Sequence, residues 1–268
     1  EMLRSLVGSE MCIRDRHTFS SSLKLRLSSS SSWEHMAGWN MQIQKNAIGG
    51  YSFLLPEYKR FTTGAFWLTT FRLDNQLSVT GGIRYDRGRI DIAAFEDPYL
   101  VEYLHRQGYE EEVIQAYRWR SYPVDRAYGN YSCSAGVVWT PAAGHLLKMN
   151  VGRSFRLPGV NELASNGVLH GTFRHEKGDA TLSSEQGWQI DASYTLAYKK
   201  MELVVSSFAS WFDNYIYLRP MGEWSVLPHA GQIYQYSGAR ALFMGGEINF
   251  NMDFLRHFNY RLVGEYVY

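Results

Sequence analysis

Residues 60–92 read Arg-Phe-Thr-Thr-Gly-Ala-Phe-Trp-Leu-Thr-Thr-Phe-Arg-Leu, then Asp-Asn, then Gln-Leu-Ser-Val-Thr-Gly-Gly-Ile-Arg-Tyr-Asp-Arg-Gly-Arg-Ile-Asp-Ile. The pattern predicts a long strand over 60–73, a two-residue hairpin turn at Asp74-Asn75 and a returning strand over 76–92. Side chains of a strand alternate between its faces. Val79, Gly81, Ile83 and Tyr85 therefore share one face, and Ser78, Thr80, Gly82, Arg84 and Asp86 share the other.

Outward from this hairpin the chain keeps a rhythm of short and long connections. A long connection over 93–124 leads to a strand over 128–140, a tight turn at 141–144 and a returning strand over 146–156. A second long connection spans 158–183, and the strand 186–198 turns at Lys199-Lys200 into 201–218. A third long connection is expected over 219–231. Short turns at one end and long loops at the other are the mark of an antiparallel transmembrane β-barrel, with the turns periplasmic and the loops outside. The fold class is thus all-β, a fragment of about nine to ten strands of a larger barrel.

The same alternation recurs along the chain. Leu147, Met149 and Val151 oppose Lys148, Asn150 and Ser154; Trp188 and Ile190 oppose Gln189 and Asp191; Ile248 and Phe250 oppose Glu247 and Asn249. A dry core holding Arg84, Lys148, Asp191 and Glu247 would cost several kcal/mol, roughly, for each unpaired charge, whereas a hydrated lumen removes that cost. A soluble antiparallel sheet with one wet face produces the same alternation. Runs of about 11 to 18 residues exceed the ordinary strand length and suffice to cross a bilayer at a tilt. Trp39, Trp67, Tyr85, Trp139, Tyr198, Trp211 and Tyr217 suit interfacial girdles.

Composition agrees. Aromatic residues make up 15% of the 268 residues, with 19 Tyr and 8 Trp, while mean hydropathy is negative. The chain has no apolar run long enough for a membrane helix, and a bilayer can otherwise be spanned only by a closed barrel. A net charge of +1, with no basic stripe, speaks against a nucleic-acid partner. Cys12 and Cys133 have no framework or metal-ligand spacing and are expected to be unpaired. No secretory signal pattern begins the chain. Residues 1–16 resemble the translation of a sequencing adapter, so the barrel portion is taken as 17–268. Ser28–Ser32 reads as a polar turn or the end of a damaged strand. The alternation over 260–268 stops abruptly, as in a protein that continues.

Residues 152–188 carry the chain's densest motif. Ser154, Phe155, Arg156 and Pro158 end a strand; Asn161, Glu162 and Leu163 follow. Gly178, Asp179 and Leu182 then precede Glu185, which opens the next strand. This order resembles the barrel of the TonB-dependent outer-membrane receptors, in which a Ser-Phe-Arg-x-Pro strand end is followed by Asn-Glu-Leu, a loop, a Gly-Asn-x-x-Leu element and a Glu. Asp179 stands where Asn is commoner. The strand Gly81-Gly82-Ile83-Arg84-Tyr85-Asp86 resembles the Gly-x-Arg-Tyr-Asp strand of the same family. Pro158 lacks a backbone donor and ends ladder pairing on its own chemistry, and Arg156 beside Glu162 is placed to tie the strand rim to the loop.

The resemblance, which covers 34–268, implies energised import across a Gram-negative outer membrane of a scarce nutrient, foremost an iron complex such as a siderophore or haem. It implies a plug domain absent from this chain, a TonB-ExbB-ExbD motor acting through that plug, a lipid bilayer around the barrel and a small-molecule ligand outside. It also places a histidine of the 158–183 loop where haem-uptake members hold iron. His170 and His175, with Arg174 between them, are the candidate ligand contacts, since neutral imidazole binds haem iron; an ordinary solvated loop is the alternative. Haem or a ferric complex would be cargo, and no resident cofactor or metal is expected. Tyr128, Tyr131, Tyr215 and Tyr217 are girdle or rim residues that could also stack on an aromatic ligand. Two stretches of helical spacing lie between Pro98 and Trp119, in a loop long enough to cap a barrel mouth. No nucleophile elbow, zinc helix or phosphate loop is present, so no catalytic residue is expected. A polysaccharide importer, a passive pore and a soluble carbohydrate-binding β-domain are the competing readings.

Overall fold

The computed structural model describes residues 13–28, 30–49, 55–169, 173–227, 230–255 and 258–268. Ten long strands form one antiparallel sheet: β1 (Ile13–Ser28), β2 (Trp33–Gly49), β3 (Tyr58–Arg72), β4 (Leu77–Ile92), β7 (Val124–Trp139), β8 (His145–Arg156), β11 (Glu185–Tyr198), β12 (Met201–Trp224), β13 (Gln232–Leu255) and β14 (Phe258–Val267). Each pairs with its neighbour in sequence order, and among the described residues β1 and β14 do not pair, so the sheet is an open portion of a barrel. β1 begins at Ile13 and pairs Asp15 with Ala47 and Arg16 with Asn46, so pairing runs across the residue-16 boundary.

Exposure decides which face looks outward. Ile83 is 60% exposed, whereas the side chains of Arg84 and Asp86 are 32% and 16% exposed. Arg84 bonds to Asp86 and donates to Asn40 Oδ1 at 2.6 Å on the inner face. Apolar residues outside and charges inside invert the order of a soluble domain and suit a sheet surrounded by lipid. Trp33 stacks on Phe71 with centroids 4.3 Å apart on the outward face, and Trp188 lies 6.5 Å from Trp211. Such cross-strand aromatic pairs contribute about 0.2–1 kcal/mol each.

The short-turn end departs from expectation at one place. The turn after β3 is wider than two residues: the Leu73 amide donates to Leu77 O, and Asp74 Oδ1 accepts from the Gln76 and Leu77 amides, both at 2.7 Å. A side chain that mimics a backbone acceptor made the longer turn stable, and this is Asp chemistry rather than Asp-Asn hairpin chemistry. Ser30–Ser32 is a polar turn, with Ser30 Oγ accepting from the amides of Ser32 and Trp33. Lys199 adopts φ 52° and Gly144 φ 83° in the other turns. At Gly144 a Cβ would also lie 2.1 Å from Ala197 O.

At the opposite end the connections carry structure of their own. Residues 93–123 hold β5 (Phe95–Glu96), helix α1 (Pro98–Arg106), helix α2 (Glu111–Tyr117) and β6 (Trp119–Ser121). Asp97 caps α1, accepting from the Tyr99 and Leu100 amides at 3.1 Å, with Pro98 in the first turn where its missing donor costs nothing. Residues 157–184 hold helix α3 (Val160–Ala164), β9 (Asn166–Leu169) and β10 (Arg174–Lys177). β9 and β10 pair with each other, and β10 runs parallel to the top of β13. The expected long connection over 219–231 is shortened to 225–231 because its first six residues continue the strand: β12 and β13 are each 24 residues long and pair as far as Trp224 with Gln232. Pro220 lies inside that extension opposite Tyr234, beside a register shift, which is where a sheet accommodates proline.

Candidate functional site

The long-loop end is knitted together around the motif of residues 154–163. Ser154 and Phe155 pair with Gly187 and Gln186 across β8 and β11. Arg156, at the end of β8, donates from Nη1 to both carboxylate oxygens of Glu162, at 2.9 and 2.8 Å, and from Nη2 to Glu185 Oε2 at 3.1 Å. The tie from Arg156 to Glu162 expected from sequence is therefore joined by a second acid. Glu185 Oε2 also accepts from the Ile216 amide at 2.9 Å, and Glu162 Oε2 from the Gly159 amide at 2.6 Å, so both acids bind backbone as well as guanidinium. Charge-assisted bonds of this kind hold the start of α3 over the sheet.

Helix α3 is too short to stand alone; packing supplies what propensity lacks. Val160, Leu163 and Ala164 enter an apolar cluster with Tyr58, Ile90, Ile92, Val124, Leu182 and Ile216, and Pro158 is fully buried. The Gly178–Leu182 element docks on the helix: the Gly178 amide donates to Ser165 O at 2.7 Å and the Asp179 amide to Glu162 O at 2.8 Å. Asp179 Oδ1 accepts from the Thr181 amide and hydroxyl. An Asn side chain would supply the same carbonyl acceptor, which is why Asp serves here.

A second cluster joins the helices to this layer through Leu104, Ile114, Tyr117, Val168 and Leu227. His175 lies within it at 0% exposure. Its Nε2 is 2.8 Å from Asn166 Oδ1 and its Nδ1 is 2.8 Å from Ser225 Oγ. Asn166 Nδ2 donates to the carbonyls of Trp119 and Ala116, so its oxygen must accept. His175 thus carries its proton on Nε2, and neutral Nδ1 accepts from Ser225. Burial, with Lys177 and Arg120 nearby, pulls the imidazole down to about 3. Tyr117 meets the ring edge-on at 5.4 Å.

Between the two clusters lies a cavity of about 280 Å³ lined by Leu55, Pro56, Arg120, Asn161, Ser165, Asn166, Gly167, Val168, Arg174, Glu176 and Tyr236. Tyr236 joins its walls, accepting from Asn161 Nδ2 at 2.9 Å and donating to Glu176 Oε2 at 2.8 Å. Arg174 Nε donates to Glu176 Oε1 at 2.9 Å and its guanidinium lies over Tyr234. Burial lowers the pKa of Arg120.

Of the residues singled out from sequence, Arg174 and Asn161 line this cavity, and His175 sits behind its wall. The expected solvated position of His175 is corrected: the β9–β10 pairing turns it inward, and both ring nitrogens are engaged. His170 lies outside the described residues, as does Cys12; Cys133 is free. Asn166, Arg120, Tyr236 and Ser225 were missed, because no local spacing links positions that meet only where three loops and the start of β13 converge. The Asp97-Pro98 cap of α1 was legible and overlooked. Among the described residues no three side chains of His, Cys, Asp or Glu gather to hold a metal.

Acid should loosen this assembly. The buried ring resists the proton that the unfolded ring takes up at its ordinary 6.5, so its stabilisation is complete above that pH and is lost as pH falls toward 3. The slope is at most about 1.4 kcal/mol per pH unit. Protection factors of the α2, β9 and β10 amides, taken against the intrinsic exchange rate at each pH, should fall progressively from pH 6.5 to 4.5, and His175→Gln should flatten that dependence. Equal slopes in both proteins would assign the acid response to other groups.

Comparison with known proteins accords with this architecture. The family described as TonB dependent receptor-like, beta-barrel matches residues 8–268. No curated protein matches the chain. The Serratia marcescens hemophore receptor HasR, solved with its hemophore HasA and heme, superposes with a TM-score of 0.68 at 19% identity over 96% of this chain and 42% of that one. The copper transporter OprC gives 0.69 at 15% identity over 96% of this chain and 38% of that one. The FrpB iron transporter of Neisseria meningitidis gives 0.62 at 12% identity over 95% and 35%. The chain thus spans well under half of these solved proteins, and at such identities they speak to fold alone. With the family matched over nearly its whole length, on a sheet with apolar residues outside, charges inside and long loops gathered at one end, the chain belongs to the TonB-dependent receptor β-barrel family.

Proposed function

We propose that the protein containing this barrel portion imports an iron complex, a siderophore or haem, across the outer membrane, driven by TonB-ExbB-ExbD through a plug. The observation that carries the reading is the convergence of four long-loop-end segments on one polar cavity holding Arg120 and Arg174. Convergent loops over a barrel mouth present a binding face to the outside, and guanidinium groups suit the carboxylate or phenolate oxygens that ferric ligands and haem carry. Proteins of similar fold include a hemophore receptor solved with heme, an iron transporter and the alcaligin receptor FauA of Bordetella pertussis. Ligation of haem iron by His175 would displace one of its two hydrogen bonds and need iron to reach a fully buried ring, so the haem variant of this reading assigns that contact to His170, with Arg174 at the cavity wall. No residue is assigned to covalent chemistry.

The test is uptake by the full-length protein in an iron-starved outer-membrane receptor deletion strain. Labelled iron should enter from one class of complex, and entry should vanish without TonB. His170→Ala should abolish haem-dependent growth if the cargo is haem and leave siderophore uptake intact otherwise. Growth on oligosaccharides that depends on the protein, with no effect of iron supply, would replace the iron reading with a polysaccharide importer.

A further inference from the structure

The cavity between the two loop clusters, at about 280 Å³, is small for a whole metal complex. At about 30 Å³ for each water-sized group, it holds roughly nine non-hydrogen atoms. Haem or a ferric chelate has several times that number, so one arm of such a ligand enters and the metal stays outside.

Two guanidinium groups are set in the wall in advance. Arg120 lies against the bare backbone of Gly167, where a Cβ would stand 2.9 Å from its Nε and 3.1 Å from its Cζ. Arg174 rests over the Tyr234 ring at 5.6 Å and donates from Nε to Glu176 Oε1 at 2.9 Å. Glu176 is itself fixed, because its Oε2 accepts from Tyr236, which accepts in turn from Asn161. Ordering long side chains weakens binding when it happens on contact; here the fold has ordered them already. Net charge alone does not select the ligand. Glu176 stands in the same wall, Asp97 acts on Arg120 from the α1 cap, Glu162 is held by Arg156 and the Gly159 amide, and Lys177 is turned to Tyr117. What distinguishes the wall is its donors. A guanidinium carries five N–H groups in one plane, and each oxygen of Glu176 already holds a donor. The partner that matches such a plane is a carboxylate, whose two oxygens take parallel, charge-assisted bonds. A second negative charge on the same arm would meet Glu176. An arm whose oxygens ligate the metal cannot leave it to enter, so the captured group is peripheral.

We infer that this cavity captures a single peripheral carboxylate of the imported complex, on an arm that does not bind the metal, with Arg120 and Arg174 as its donors. The inference rests on the import reading for the ligand's being cargo, and on the cavity alone for the capture. Recognition then reads the organic part of the complex, whichever metal it carries.

The probes are benzoate and benzamide, which match in size and differ in charge, titrated against the full-length receptor in detergent by saturation-transfer NMR. Wild type should hold benzoate at least about tenfold more tightly than benzamide, as hydrogen bonds to a charged group require. Benzoate, and not benzamide, should protect Arg120 and Arg174 from phenylglyoxal, read by mass spectrometry, with Arg106, exposed on α1, as the internal control. The R120Q/R174Q variant should bind benzoate no better than benzamide. Heat-modifiable gel mobility identifies its folded barrels, and the labelling of wild type needs no variant. Equal binding of the two probes by wild type, unprotected arginines, or an undiminished benzoate preference in the double variant each overturns the proposal. TonB-dependent iron uptake by wild type is scored separately: uptake without benzoate capture sinks this inference alone, and capture without uptake sinks the import reading alone.

Discussion

Alanine at Gly178 is expected to unseat the 157–184 segment from the barrel mouth. A Cβ there would lie 2.5 Å from Ala164 N, 2.6 Å from Leu163 C and 2.9 Å from Ser165 N. All three are backbone atoms of α3 and its C-terminal flank, so no side-chain rotation relieves the overlap. Overpacking against backbone costs roughly 3 kcal/mol or more. The first bonds to break are those from the Gly178 amide to Ser165 and the Asp179 amide to Glu162. Both amides should exchange at least ~100-fold faster in the full-length variant, from about 1.4 kcal/mol per factor of ten. Ligand affinity should fall with them, because Asn161 and Glu176 then lose their common partner Tyr236. Native exchange rates at 178 and 179 would show that the helix shifts to admit the methyl group, and the close approach would then be slack rather than required.

Leu163→Ala should act on the same element from its other side. Leu163 is 1% exposed and packs with Ile90, Ile92, Val124, Leu182 and Ile216. Truncation of such a side chain costs about 2–5 kcal/mol, because the lost contacts are joined by a cavity that only partly collapses. Limited proteolysis of the folded receptor should cut within 157–184 much faster while the strands remain resistant, since the cluster holds a loop to the sheet rather than the sheet to itself. Uniform loss of resistance through β3, β4 and β7 would instead make this cluster part of the sheet's own stability. The double variant should cost less than the sum of its parts, because both changes release one segment and it can be released only once.

Several features were written in local chemistry. Period-two alternation from Ser78 to Asp86 set the two faces of β4 without any neighbour, since strand geometry alone sends successive side chains to opposite sides. Lys199-Lys200 read as a turn, and Pro158 as the end of ladder pairing, for the same local reason. The motif around Arg156 pointed to Glu162 because the two are six residues apart across a turn. The wider turn at Asp74 and the strand extension through Pro220 went astray where a side-chain acceptor and a register shift overrode the simplest local pattern.

What the amino-acid sequence determined by itself was the barrel: alternation, strand length and the spacing of turns are properties of contiguous residues and need no partner to be read. Only the tertiary structure decided which polar residues meet. His175 finds Asn166 and Ser225 at separations of 9 and 50 residues, Tyr236 reaches Glu176 across 60, and Arg156 gains Glu185 across 29. These contacts exist because the sheet brings loops from different strands to one end, and loop closure over such distances leaves no periodicity in the chain. Hence a histidine that looked like an exposed ligand is a buried tie, and the cavity beside it was invisible until the loops were in place.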